Sequence, residues 1–183
     1  MIIHIFGSSG SGTTTLAKEL AEYLNLHHID VDDLMWEKTD PPFTVKRSNE
    51  TIRQRINEDL SHHQDIVISG SIVNIYDDLK PSIDLFIYMN LDIETRKERI
   101  NQREVKRFGH RILPGGDLYH KHQSFLEWVS DYEHNPETIR SRKQHLSWLN
   151  DVKKPVLRIT EELSLNELKK LVKSYLINMN NAI

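Results

Sequence analysis

The sequence predicts a three-layer α/β fold around a five-stranded parallel sheet. Three observations predict it. Short apolar runs alternate with segments of helical periodicity along the chain. A glycine-rich turn joins the first apolar run directly to the first helical one. No repeat, low-complexity tract or Pro/Gly/Ser linker divides the 183 residues, so one domain over 1–183 is expected. Strands alternating with helices imply crossovers that keep the strands parallel and cover both sheet faces.

The elements follow in order. Ile2–Phe6 reads as a buried strand, and Leu16, Leu20 and Leu24, with Ala17 and Ala21 beside them, repeat at helical spacing. His27–Asp30 is a short second strand, and Ile52, Ile56 and Leu60 mark a second helix. Asp65–Ser69 and Asp84–Met89 are further short apolar runs, followed by a charged helix over Asp92–Arg107. Pro155–Ile159 is the last strand. Ser164 and Glu167 then form a capping box ahead of Leu165, Leu168, Leu171, Val172, Tyr175 and Leu176. Helical insertions are expected at about 34–61 and 108–150, carrying Trp36 and Phe43, and Tyr119, Phe125, Trp128, Tyr132 and Trp148. The second insertion should hold one helix after Asp117 and another opened by Asn135-Pro136, an N-cap followed by proline at the first helical position.

Composition narrows the function. A formal charge of −3 supplies no global attraction to nucleic acid or anionic membrane, so neither is an expected partner. Without cysteine there are no disulfides, thiolate catalysis or Cys-based metal sites. No long apolar stretch precedes the first strand or follows it, and a cytoplasmic location is expected. The composition does not indicate an oligomeric state.

The run Gly7-Ser8-Ser9-Gly10-Ser11-Gly12-Thr13-Thr14 fits G-x-x-x-x-G-K-[ST] except at Thr13, where lysine is called for. Glycines let several backbone N–H groups converge on an anion. The following helix adds free N–H groups and the positive end of its dipole. Gly7, Ser8, Gly10, Ser11, Gly12, Thr13, Thr14 and Thr15 are therefore the expected ATP contacts. The Thr14 hydroxyl sits where a Mg²⁺ ligand belongs. Strand, GSSGSGTTT and helix together resemble the opening of the small-molecule P-loop kinases: adenylate, cytidylate and shikimate kinases and their relatives. The resemblance covers roughly residues 1–111 and 152–177 and implies a P-loop NTPase fold with lid and acceptor insertions. Archaeal-type cytidylate kinases have a similar GSGTTT form, which implies that Thr13 is compatible with activity.

Asp30, Asp32 and Asp33 fall just beyond the second strand, close to the phosphates in such a sheet. The D-x-D spacing is similar to the shikimate-kinase pattern, which implies Asp30 in the metal's water shell and Asp32 at the acceptor hydroxyl. The D-x-L-x-W run from Asp32 to Trp36 also resembles adenylate-kinase relatives. Capping of the helix at Leu34 by Asp32 or Asp33 is the competing explanation. The third strand ends in Ser69-Gly70-Ser71 without an aspartate, which moves metal duty onto Thr14 and Asp30.

At about 100° per residue, Arg96, Arg99, Arg103 and Arg107 share one helix face. A solvated basic face is the ordinary explanation. The run from Glu98 to Arg107 resembles the start of an adenylate-kinase-type lid, which implies Arg103 and Arg107 as leading charge-neutralising residues, then Arg99 and Arg111. Arg140 and Arg142 are weaker candidates for an acceptor phosphate. The histidines, in doublets at 27–28 and 62–63 and an H-x-H at 120–122, read as surface or packing residues. The expected activity is transfer of the γ-phosphate of Mg·ATP to a small acceptor, a nucleotide or nucleoside. A nucleotide hydrolase or switch and a binding-only pseudokinase are the alternatives.

Overall fold

The computed structural model describes residues 1–181. Five strands, β1 (Ile2–Gly7), β2 (His27–Asp30), β3 (Ile66–Ser69), β4 (Leu85–Met89) and β5 (Val156–Ile159), form one sheet in the order β2-β3-β1-β4-β5. Every neighbouring pair is parallel. The helices are α1 (Thr13–Leu24), α2 (Val31–Met35), α3 (Asn49–His62), α4 (Ile93–Phe108), α5 (Tyr119–Asp131), α6 (Arg142–Leu149) and α7 (Leu165–Asn181). Among the described residues, no helix is long and apolar enough to cross a membrane.

The strands' period of two builds the layers. Ile3, Ile5, Val67, Leu85, Ile87 and Met89 point to one face, where α1 brings Leu16, Ala17 and Leu20 and α7 brings Leu168 and Val172. Phe6, Ile66, Ile68, Phe86 and Tyr88 point to the other, under Ile52 and Ile56 of α3 and Leu149 of α6. Both faces are apolar because both are covered, which is why the strands read as continuous apolar runs. The capping box of α7 forms as the sequence indicates: Ser164 N–H donates to Glu167 at 2.8 Å, and Glu167 N–H donates back to the Ser164 hydroxyl at 3.3 Å.

Two local expectations are corrected. No helix opens at Asn135-Pro136. Asn135 N–H returns to the Asp131 carbonyl at 2.8 Å, and Pro136–Ile139 makes only a turn. Helix α6 starts six residues later, where the Ser141 hydroxyl caps Gln144 N–H at 3.0 Å. The cap of α2 is neither Asp32 nor Asp33: the Asp30 carboxylate accepts from Asp32 N–H at 3.1 Å. An Asp at the strand's last position reaches the new helix first.

Two histidines lie wholly inside the face covered by α6. His4 Nε2 lies 2.8 Å from the Gly70 carbonyl and its ring stacks on Phe6. His145 lies 2.8 Å from the Tyr132 hydroxyl and 3.1 Å from that of Ser71, while Tyr132 meets Tyr88 at 3.0 Å. Burial holds His4 down to about 4 and His145 to about 2, with Arg140 adding to the depression of His145. Both are neutral in the fold and charge on unfolding below about pH 6.5, so the unfolded state binds more protons there. Stability is therefore full above that pH and is lost as pH falls through it. Urea midpoints should drop from pH 7 to 5, and less steeply in His4→Leu, which removes one of the two protons taken up. The same slope in both proteins would show that His4 does not titrate on unfolding.

Candidate phosphate-binding site

The turn after β1 is shaped by what it packs against. Ser8 N–H donates to the Met89 carbonyl at 3.1 Å, and Leu91 N–H donates to the Ser11 hydroxyl at 3.1 Å. The Ser8 and Ser11 hydroxyls meet at 2.6 Å and are buried. Of the expected ATP contacts, these two thus spend their side chains clamping the loop to the start of α4. A Cβ on Gly10 would come within 2.7 Å of the Arg96 carbonyl, and φ there is +87°. Only glycine allows this approach.

At Gly12, φ is +93° and no side chain caps α1. The first-turn amides of Thr13, Thr14 and Thr15 therefore have neither an intrahelical partner nor a cap. Free N–H groups at the positive end of a helix suit an anion. An Arg99 nitrogen lies 3.7 Å from where a Gly12 Cβ would stand, so this guanidinium borders the turn while pairing with Glu162 at 2.6 Å.

The Thr14 side chain lies close enough to the Asp30 carboxyl to oppose its shift slightly, so the start of α1 stands beside the end of β2. Burial first, and the charge of Asp32 second, push the Asp30 carboxyl up to about 6. A cation beside it would reverse both effects. Hydroxyl and carboxylate oxygens are the hard donors that Mg²⁺ prefers, so the donor set fits that ion. Asp32 is exposed, and its Oδ1 lies 3.8 Å from where a Gly70 Cβ would stand. Thr14, Asp30 and Asp32 thus meet at the carboxyl ends of the strands, where open α/β sheets bind ligands.

The arginine stripe divides. Arg96 is fully buried: it donates to the Leu91 carbonyl at 2.9 Å, the Val129 carbonyl at 3.3 Å and Glu133 at 3.3 Å. It cannot be a mobile lid residue. Arg103 and Arg107 are half-exposed and share Glu104, at 3.0 and 3.9 Å, and Arg107 also lies over Phe43 and Phe108. Arg111 holds Asp117 and Asp40. Each of these arginines is thus supplied with a carboxylate. Sequence reasoning gave Arg140 only a marginal place, yet its Nη2 donates to the Gly7 carbonyl at 3.3 Å. It lies in an aperiodic stretch that offered no signal. Among the described residues, no three His, Cys, Asp or Glu side chains are grouped to hold a metal.

A parallel α/β sheet, a glycine turn wedged against the neighbouring crossover and an uncapped helix beyond it define a P-loop nucleotide-binding protein. Residues 3–111 match the family model described as AAA domain, and the chain belongs to that family. The uncharacterized protein YqaC of Bacillus subtilis (strain 168) is 36% identical over 174 residues, 95% of this chain and 96% of its own length. A cytidylate kinase of Methanocaldococcus jannaschii is 31% identical over 117 residues, 57% of this chain and 65% of that protein. Among solved structures, shikimate kinase from Bacteroides thetaiotaomicron superposes with a TM-score of 0.56 at 14% identity, over 96% of this chain and 98% of that one, a likeness of fold.

The two inner glycines should behave differently. In Gly10→Ala the methyl meets the backbone of α4, so the urea midpoint should fall well beyond the strain of a positive φ alone, about 1 kcal/mol. Gly12→Ala should lose only that strain, because its methyl faces open space and one movable arginine. Equal losses would contradict the packing of the turn on Arg96.

Proposed function

We propose that this protein transfers the γ-phosphate of Mg·ATP to a small acceptor, a nucleotide or nucleoside. The observation that carries the reading is the cradle itself, with uncapped helix amides beside the Asp30 carboxyl at the strand ends. The likeness to cytidylate kinases over part of the chain favours a nucleotide-type acceptor. Under this reading residues 1–183 act as one kinase domain, with the insertions at 34–61 and 108–150 meeting the acceptor and closing over the phosphates.

The backbone amides from Gly10 to Thr15 hold the β- and γ-phosphate oxygens. Thr14 and Asp30 hold Mg²⁺, which when bound neutralises charge on those oxygens. Asp32, exposed at the strand ends, orients the attacking oxygen, and takes its proton where that oxygen is a hydroxyl rather than a phosphate oxygen, while the oxygen bonds to phosphorus and the bond to ADP breaks. Arg103 and Arg107, on the last turns of α4, neutralise charge that develops during transfer.

Calorimetry with Mg·ATP tests the cradle. Gly12→Val should weaken affinity by much more than threefold, the change worth about 0.7 kcal/mol, and a smaller loss would remove the assignment. ADP release screened over nucleoside mono- and diphosphates, nucleosides and sugars tests the transfer. ATP turnover that no acceptor raises would identify a hydrolase, and binding without turnover a pseudokinase. On the acceptor found, Asp32→Asn should slow turnover about tenfold or more with little change in melting temperature, since the cap of α2 belongs to Asp30. Arg107→Ala should lower kcat more than it raises KM. Normal kinetics in both variants would return these residues to surface roles.

A further inference from the structure

The cradle lacks its cation. Thr13 stands where lysine would meet the β- and γ-phosphates, and no other residue from Gly7 to Thr14 is charged. Amides and a helix dipole attract an anion, but a side-chain cation adds the stronger, charge-assisted bonds. Three arginines come near the turn, and two of them are already committed. Arg96 is buried with its guanidinium divided among the Leu91 and Val129 carbonyls and Glu133. Arg99 pairs with Glu162 at 2.6 Å.

Arg140 differs. Among the described residues it has no carboxylate partner, although Arg142, two positions on, reaches Glu133 at 3.5 Å. Its Nη2 makes a long bond of 3.3 Å to the carbonyl of Gly7, the first residue of the cradle. Its Nε–H is buried with no hydrogen-bond partner. The guanidinium lies 5.6 Å over the Trp128 ring, a platform that fixes its plane. An unpaired buried donor on a cation is costly, of order 1–3 kcal/mol, and its persistence at a binding turn calls for a ligand that would satisfy it.

We propose that Arg140 supplies, from the second insertion, the positive charge that Thr13 does not, and binds the oxygens of the terminal phosphates. The assignment rests on the ATP-binding reading above. A guanidinium presents several donors in a plane and grips two phosphate oxygens at once, which the point charge of lysine does not. It also gives the 108–150 insertion a function at the cradle: the segment from Trp128 to Arg140 carries a phosphate-binding group. A lysine at position 13 would be redundant with Arg140, and this redundancy is measurable.

The experiment is a calorimetric cycle with Mg·ATP on the full chain, using wild type, Arg140→Gln, Thr13→Lys and the double variant. Arg140→Gln should weaken binding about tenfold or more. Adding Thr13→Lys to Arg140→Gln should restore binding to within about threefold of wild type, while Thr13→Lys alone tightens the wild type by less. The proposal is overturned if Arg140→Gln binds within about threefold of wild type. It is equally overturned if Thr13→Lys gives the same gain in both backgrounds, because independent sites add. Should Arg140→Gln fail to fold, Arg140→Met takes its place: binding weakened and then restored by Thr13→Lys supports the proposal, and unchanged binding refutes it. A wild type that binds no Mg·ATP removes this assignment together with the ATP reading, whereas normal wild-type binding with silent Arg140 variants removes this assignment alone.

Discussion

Burial of one cation, Arg96, is the constraint on which the site depends. Its backbone packs against Gly10, and its side chain reaches the Val129 carbonyl in α5 and Glu133 just beyond that helix. The turn after β1, the start of α4 and the end of α5 are thereby fixed to one another by a single residue. A charge withdrawn fully from water is tolerated only when its hydrogen bonds are met, and removing one partner leaves the other uncompensated. Burial lowers the Arg96 pKa, and Glu133 opposes that shift. Glu133 also accepts from Asn90 at 3.0 Å, which returns the network to the end of β4. The cradle keeps its curvature because this neighbour cannot move away without stranding a charge.

The architecture was legible in the sequence because it rests on periodicities. Strands covered on both faces appear as unbroken apolar runs, and the leucines of α1 and the capping box of α7 declare their helices locally. The arginine face was legible as geometry but not as environment. A period of 3.6 aligns Arg96 with Arg99, Arg103 and Arg107, yet Arg96 is packed under the end of α5 while Arg103 is half exposed, so the same stripe is core at one end and surface at the other. Charge alone does not tell the two apart. The capping carboxylate of α2 was misplaced for a related reason: three aspartates in four residues offer nearly equal caps, and only the direction of the chain leaving β2 selects Asp30.

Residues 112–150 were least legible. Their anchors are single long-range contacts with no repeating signature. Arg111 reaches Asp40 at 2.8 Å, Lys121 donates to the carbonyls of Pro42 and Phe43, and Arg107 lies over Phe43. The contacts of Arg111 and Lys121 join the second insertion to the loop before α3, and Arg107 joins the end of α4 to the same loop. The two insertions consequently share an interface, and a displacement of one is transmitted to the other. In the proposed reaction an acceptor touching the loop at 36–47 would thus bias the segment that carries Arg111 without meeting the phosphates.

The pairing of Arg103 and Arg107 with Glu104 does not conflict with a role for them at the phosphates. Both guanidinium groups are about half exposed, at 49%, and exposed ion pairs are generally worth only about 0–1 kcal/mol. Glu104 itself is nearly buried, whereas the two arginines are half exposed. A triphosphate brings more charge than one carboxylate and more acceptor oxygens, and within a closing site each bond to it is charge-assisted on both sides. In the proposed reaction, exchange of Glu104 for phosphate would therefore be favoured. In the ligand-free chain the same carboxylate offsets the mutual repulsion of the arginines and holds them gathered. Glu104 lowers the cost of keeping two cations together at small expense to their availability, which is what a helix must do if it is to present charge to a ligand that is not always there.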